Sequence, residues 1–85
     1  MTELPHQLKE IYWRSRRGML ELELQLVPFV RDCFETLSEA EQSAYVELLE
    51  EEDWQIFDWL QGRVQPTTNT MQVLIAKISA HRGKL

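Results

Sequence analysis

Hydrophobic positions recur along this chain at three- and four-residue steps in nearly every segment, which is the spacing of amphipathic helices. Leu4, Leu8, Ile11 and Tyr12 outline a first helix that ends near Arg17. Gly18 sits where that pattern stops. It predicts a helix end or a tight corner, where a positive φ costs little. Residues 20–26 (LELELQL) alternate strictly, and taken alone that is a strand pattern. Three observations favour helix. Leu, Glu and Gln are helix formers without β-branching. Met19, Leu22, Leu26, Phe29, Val30, Cys33 and Leu37 keep helical spacing well beyond the alternation. No second alternating segment is there to pair with, and a lone strand is unstable. The alternation then predicts a second apolar stripe of Leu20, Leu24 and Val27. A helix apolar on two sides belongs at the centre of a small bundle. Pro28 must bend or restart it, since it removes one hydrogen bond to Leu24.

Ser38 followed three residues later by Glu41 is a capping box and starts the third helix. Ala44, Tyr45, Leu48 and Leu49 form its buried stripe. The consecutive Glu50, Glu51 and Glu52 oppose the helix dipole and predict its end. Asp53 is then placed to cap a short fourth helix, with Trp54, Phe57 and Leu60 facing inward and Gly62 closing it. Residues 63–67 (RVQPT) read as a loop, with Pro66 blocking helix continuation. Thr67 or Thr68 caps a last helix carrying Met71, Leu74, Ile75 and Ile78, ended by Gly83. There is no internal repeat and no low-complexity segment. The expectation is an all-α fold, a bundle of about five short helices forming one domain over residues 1–85.

Composition agrees with that picture: 85 residues, 44% hydrophobic and 27% charged, describe one small globular domain. No apolar run approaches the ~20 residues that cross a bilayer. The first ten residues carry neither the basic nor the apolar region of a secretory signal. A single cysteine, Cys33, makes no internal disulfide and suits a reducing cytoplasm. A cytoplasmic protein without membrane insertion, monomeric when free, is expected.

The net charge of −5 makes general nucleic-acid binding a poor reading, because phosphate neutralisation dominates that affinity. The distribution is uneven. Residues 32–61 hold ten acidic side chains and no Lys or Arg, while Arg14, Arg16 and Arg17 fall within four positions. That layout predicts a basic recognition face and an acidic solvated one.

Catalytic chemistry finds little to work with. His6, Cys33 and His81 are too scattered to suggest zinc. Cys33 on an apolar stripe reads as inert core. Ser15 has only arginines as near polar neighbours, and three widely spaced glycines form no phosphate loop. The chain reads as a non-enzyme. What stands out is Trp13, Arg14, Arg16, Arg17, Gly18, Met19 and Glu21 at a helix–helix corner. Trp and Arg are enriched where proteins grip partners. Arginine's planar fork can hold a carboxylate bidentately, and Gly18 admits a close backbone approach. Glu21, in the first turn of the second helix, suits the dipole and is placed to pair with Arg17. The plainer alternative is that Arg17 and Glu21 only lock the corner while Trp13 is core.

The run from Trp13 through Arg16, Arg17, Gly18, Met19 and Glu21 to Leu22 resembles the motif of the succinate dehydrogenase flavinylation factors, the SdhE/YgfY-like family, whose core is Arg-Gly-x-x-Glu. Phe29, Leu37–Ser38 with Glu41, Leu48–Leu49, Asp53 and Trp59 fall at family-like places. The resemblance implies a five-helix bundle that acts as an assembly chaperone. It implies binding to the flavoprotein subunit of succinate dehydrogenase, and in bacteria that of fumarate reductase, to promote covalent attachment of FAD to a histidine. Arg17 and Glu21 would be polar anchors on the client near its flavin site, Gly18 would allow close docking, and Trp13, Arg14, Arg16 and Met19 would extend the contact. Flavinylation is chemistry of the flavin and the client's histidine, so the helper need supply only geometry, a contribution of about 7–11 kcal/mol at best. No dinucleotide motif is present, and no stably bound cofactor is expected. A related bacterial name for the family implies an antitoxin, which stands as the alternative.

Overall fold

The structure, a computed structural model, describes residues 6–81. It consists of α1 (His6–Arg14), α2 (Leu20–Cys33), α3 (Glu39–Leu48), α4 (Asp53–Gln61) and α5 (Asn69–Ala80), with a 3₁₀ turn, Phe34–Thr36, after α2. No strand occurs among the described residues. The five-helix expectation holds, and residues 20–26 are helical. Leu4 and Gly83, the expected start of the first stripe and end of the last helix, lie outside the described residues.

The core follows most of the predicted stripes. Leu22, Leu26, Phe29 and Val30 of α2 meet Ala44, Tyr45 and Leu48 of α3, Ile56 and Leu60 of α4, and Leu74, Ile75 and Ile78 of α5. The α3–α5 contact is the most extensive, and α2 packs against α1, α4 and α5. At the centre Tyr45 stacks on Phe29 at 6.2 Å and takes Phe34 edge-on at 5.7 Å. Such aromatic pairs add stabilisation beyond the area they bury. The capping box forms as read: Glu41 N–H donates to Ser38 Oγ at 3.1 Å, and Ser38 N–H donates to Glu41 Oε1 at 3.2 Å. Thr68 caps α5 by accepting from Met71 N–H. Gly62 closes α4 at φ +80°, the left-handed region that favours glycine.

Four expectations need correction. The stripe Leu20, Leu24 and Val27 is not a second buried face: Leu20 is 62% and Leu24 47% exposed, and Val27 is half-buried. A bundle this small has one core, and α2 turns only one side to it. The inward face of α4 is Ile56 and Leu60, one helical turn apart, whereas Trp54 is 60% exposed and Phe57 half-buried. The first helix ends at Arg14 rather than near Arg17. Gly18 does not adopt a positive φ; Gly62 is the one described residue that does. As for Pro28, it is buried inside α2, which runs through it as one helix. The hydrogen bond it removes is to the carbonyl of Leu24, a residue on the exposed stripe.

Candidate functional site

Residues 15–19 turn the corner between α1 and α2, and that corner is held from inside. Ser15 is fully buried. Its hydroxyl donates to the Ile11 carbonyl at 2.8 Å. Its one proton is thereby committed, so the Tyr45 hydroxyl is the donor in their 2.7 Å contact. Burial pushes the Tyr45 phenol well up, the Ser15 bond only partly opposing it. Tyr45 is therefore a neutral donor, and the pair ties the end of α1 to the middle of α3.

Arg17 makes the second tie. Its Nε donates to Asp53 Oδ1 at 2.7 Å, Nη1 to the carbonyls of Arg14 and Leu49 at 3.2 Å, and Nη2 to the Glu51 carbonyl at 2.8 Å. The last carbonyls of a helix lack partners within it and carry partial negative charge. One guanidinium therefore caps the ends of both α1 and α3. Asp53 in turn accepts Met19 N–H on Oδ2 at 3.1 Å. Burial acts to raise the Asp53 carboxyl, but the bonds from Arg17 and from the Met19 and Gly18 backbone outweigh it and hold it below its usual value. The Arg17 side chain is only 15% exposed.

This geometry corrects three readings. Arg17 pairs with Asp53, not with Glu21, because it points back to the α3–α4 junction while Glu21 lies on the solvent side of the first turn of α2. Asp53 does not cap α4. Glu52 is the N-cap without a side-chain bond, and the Asp53 carboxylate serves the corner instead. The arginines do not form a free basic face, because each meets a carboxylate. Arg14 Nη2 lies 2.6 Å from Glu50 Oε2 and Arg16 Nε 3.6 Å from Glu23 Oε2. Residues 50–53 of the acidic stretch, distant in sequence from Arg14 and Arg17, are their neighbours in space.

The outer side of the corner is different. Trp13 is 65% exposed, so it is not core, with the Arg16 guanidinium over its ring at 5.5 Å. Such a contact is worth about 0.5–1 kcal/mol at an exposed site. Gly18 and Glu21 are exposed, and Glu21 has no ion pair among the described residues. A Cβ built on Gly18 meets only Asp53 Oδ2, at 3.8 Å, an ordinary contact. Met19 is half-buried against the core. Beside it lies an open depression lined by Arg17, Met19, Leu49, Glu50, Glu51, Glu52, Asp53 and Trp54. All seven predicted site residues are therefore at one corner, with Arg17 inward, Trp13, Arg16, Gly18 and Glu21 outward, and Arg14 and Met19 between.

The sequence reading missed Ser15, Tyr45 as a polar residue, and Asp53 as the corner's carboxylate. No local pattern marks them, since their partners lie 30–36 positions away. It also missed that His81 reaches Cys33 and Asp32. His81 Nδ1 lies 3.6 Å from Cys33 Sγ, and Nε2 3.0 Å from Asp32 Oδ2. Arg31 grips Asp32 with two bonds and, with some help from His81, brings its carboxyl down to about 2. Burial pushes the Cys33 thiol up, with Asp32 adding to it, so the sulfur is not activated. Among the described residues no three His, Cys, Asp or Glu side chains converge as a metal site. No described helix is long and apolar enough to cross a membrane.

Comparison with known proteins converges on one family. The family described as "Flavinator of succinate dehydrogenase" matches residues 9–82. A protein named FAD assembly factor SdhE from Vibrio cholerae is 40% identical over 75 residues, covering 88% of this chain and 87% of the relative. One of the same name from Pseudomonas aeruginosa is 40% identical over 72 residues, covering 85% and 86%. A solution structure described as a UPF0350 protein superposes with a TM-score of 0.74 at 38% identity, over 93% of this chain and 85% of the other.

Proposed function

The chain belongs to the family of succinate dehydrogenase flavinators, and from that premise we propose that it is an assembly factor that binds the flavoprotein subunit of succinate dehydrogenase and promotes covalent attachment of FAD to it. It acts by positioning: the flavin and the client's histidine supply the chemistry, and the helper holds them in the geometry where they react. It needs no catalytic group and no flavin of its own. The free protein is a cytoplasmic monomer, and the flavoprotein of fumarate reductase is a second client of the same chemistry.

The observation that carries this reading is the two-sided corner. Its inner side is fixed by Arg17, Asp53, Ser15 and Tyr45. Its outer side offers Trp13, Gly18 and Glu21 to a partner. A rigid support under an exposed aromatic and an unpaired carboxylate is what a positioning surface requires. In this reading Arg17 acts by building the corner, and Trp13, Gly18, Met19 and Glu21 meet the client, with Arg14 and Arg16 at the rim.

Co-purification tests it. Gly18→Leu and Trp13→Ser should fold as the wild type does but fail to retain the flavoprotein subunit. Capture of the subunit at wild-type levels by both variants would place the client elsewhere. A purified chain that stays stoichiometrically yellow through gel filtration would refute the absence of a resident flavin.

A further inference from the structure

Leu20 and Leu24 lie one turn apart on α2, 62% and 47% exposed, although leucine is among the residues most often buried. Glu23 lies one turn from Leu20, and Arg16, its partner at 3.6 Å, covers Trp13. The two exposed leucines and the exposed indole therefore lie on either side of the Arg16–Glu23 pair, beside the corner. The charges around it can be paired off. Arg14, Arg16 and Arg17 are matched by Glu50, Glu23 and Asp53. Lys9 and Glu10, one turn back from Trp13 on α1, offset each other. Glu21, between the leucines, remains unmatched among the described residues. So do Glu51 and Glu52, on the depression shared with Met19 and Trp54. These exposed apolar side chains thus sit among paired charges with a net anionic surplus, the opposite of the sign the arginine-rich sequence suggests.

Resting on the proposed function, we propose that the corner recognises a basic apolar surface of the flavoprotein client, with Leu20 and Leu24 as apolar anchors beside Trp13 and the Glu21 carboxylate facing an arginine or lysine. Charge complementarity selects this occupant. An acidic client face would meet three unmatched carboxylates at close range, and like-charge juxtaposition discriminates strongly against a partner. Exposed apolar side chains of this kind gain affinity by desolvation, while rim charge governs encounter rate and salt dependence.

The experiment measures binding of the purified apo flavoprotein subunit of succinate dehydrogenase to the full chain between 50 and 500 mM NaCl, about a threefold change in Debye length. Wild-type binding should weaken as salt rises. Leu20→Ser/Leu24→Ser, altered only at exposed positions, should keep the wild-type circular dichroism and melting temperature while weakening binding at least tenfold. Glu21→Lys should slow association more than Glu21→Gln does, and both should flatten the salt dependence. Binding of the double leucine variant within twofold of wild type, or tighter binding by Glu21→Lys, overturns this inference and leaves the proposed function standing. Failure of the wild-type chain to bind the flavoprotein subunit at any salt overturns the proposed function and this inference with it.

Discussion

The two ends of α3 are closed in different ways. At its start Ser38 and Glu41, three residues apart, exchange hydrogen bonds with each other's backbone. At its end the carbonyls of Leu49 and Glu51 are met by Arg17, more than thirty residues earlier in the chain. The first closure is local, and only the other oxygen of Glu41 reaches beyond the helix, to Lys77 of α5 at 2.7 Å. The second is long-range: it fixes α1, the corner and the start of α4 with one guanidinium, and leaves the acidic run 50–52 no need of its own basic cap. A local cap stabilises an element, whereas a distant one sets how elements meet. In this protein the proposed docking surface sits at the meeting point.

The contrast predicts unequal consequences. Arg17→Ala strips the end of α3 and leaves the part-buried Asp53 carboxylate without its cation. Unfolding in urea should show a loss of about 2–3 kcal/mol, the scale for removing a charged donor that serves several acceptors. Equal losses for Arg17→Ala and Ser38→Ala would erase the distinction.

Asp53→Asn sharpens it through pH. The folded-state carboxyl lies below its usual 3.8, so its contribution is full above that value and fades as pH falls through the lower folded value. The variant should be less stable than wild type by about 1–2 kcal/mol at pH 7. The gap should close as pH falls below about 4. A pH-independent gap would mean that the charge is not what matters.

Ser38→Ala should cost about 1 kcal/mol, the usual worth of an N-cap, with no change in client binding. Gly18→Ala should change stability by less than about 0.5 kcal/mol, because the added carbon meets only one oxygen at 3.8 Å and φ is not positive. A large destabilisation by alanine would show that the glycine serves the fold rather than the approach of a partner.

What the sequence disclosed follows the same division. The Ser38–Glu41 box, the Thr68 cap, the Gly62 terminus and most apolar stripes depend on neighbours within about one helical turn and are where the pattern puts them, the exceptions being the outer stripe of α2 and the Trp54–Phe57 face of α4. The grouping of the seven corner residues was legible because they are contiguous. Their orientations were not. The inward turn of Arg17 is decided by Asp53 and two carbonyls of the α3–α4 connection, and the burial of Ser15 by Tyr45. The alternation at residues 20–26 suggested a buried second stripe because periodicity reports which residues share a face, not whether a neighbour covers it.

The central claim is that the corner's inner side maintains the fold while its outer side serves the client. Glu21→Ala tests it most directly, by in-gel fluorescence of covalent flavin on the co-expressed flavoprotein subunit, read beside the variant's own urea midpoint. The account predicts an unchanged midpoint and at least a tenfold drop in covalent flavin under limiting helper. Wild-type flavin incorporation by the folded variant, or a midpoint that falls together with it, would contradict the division.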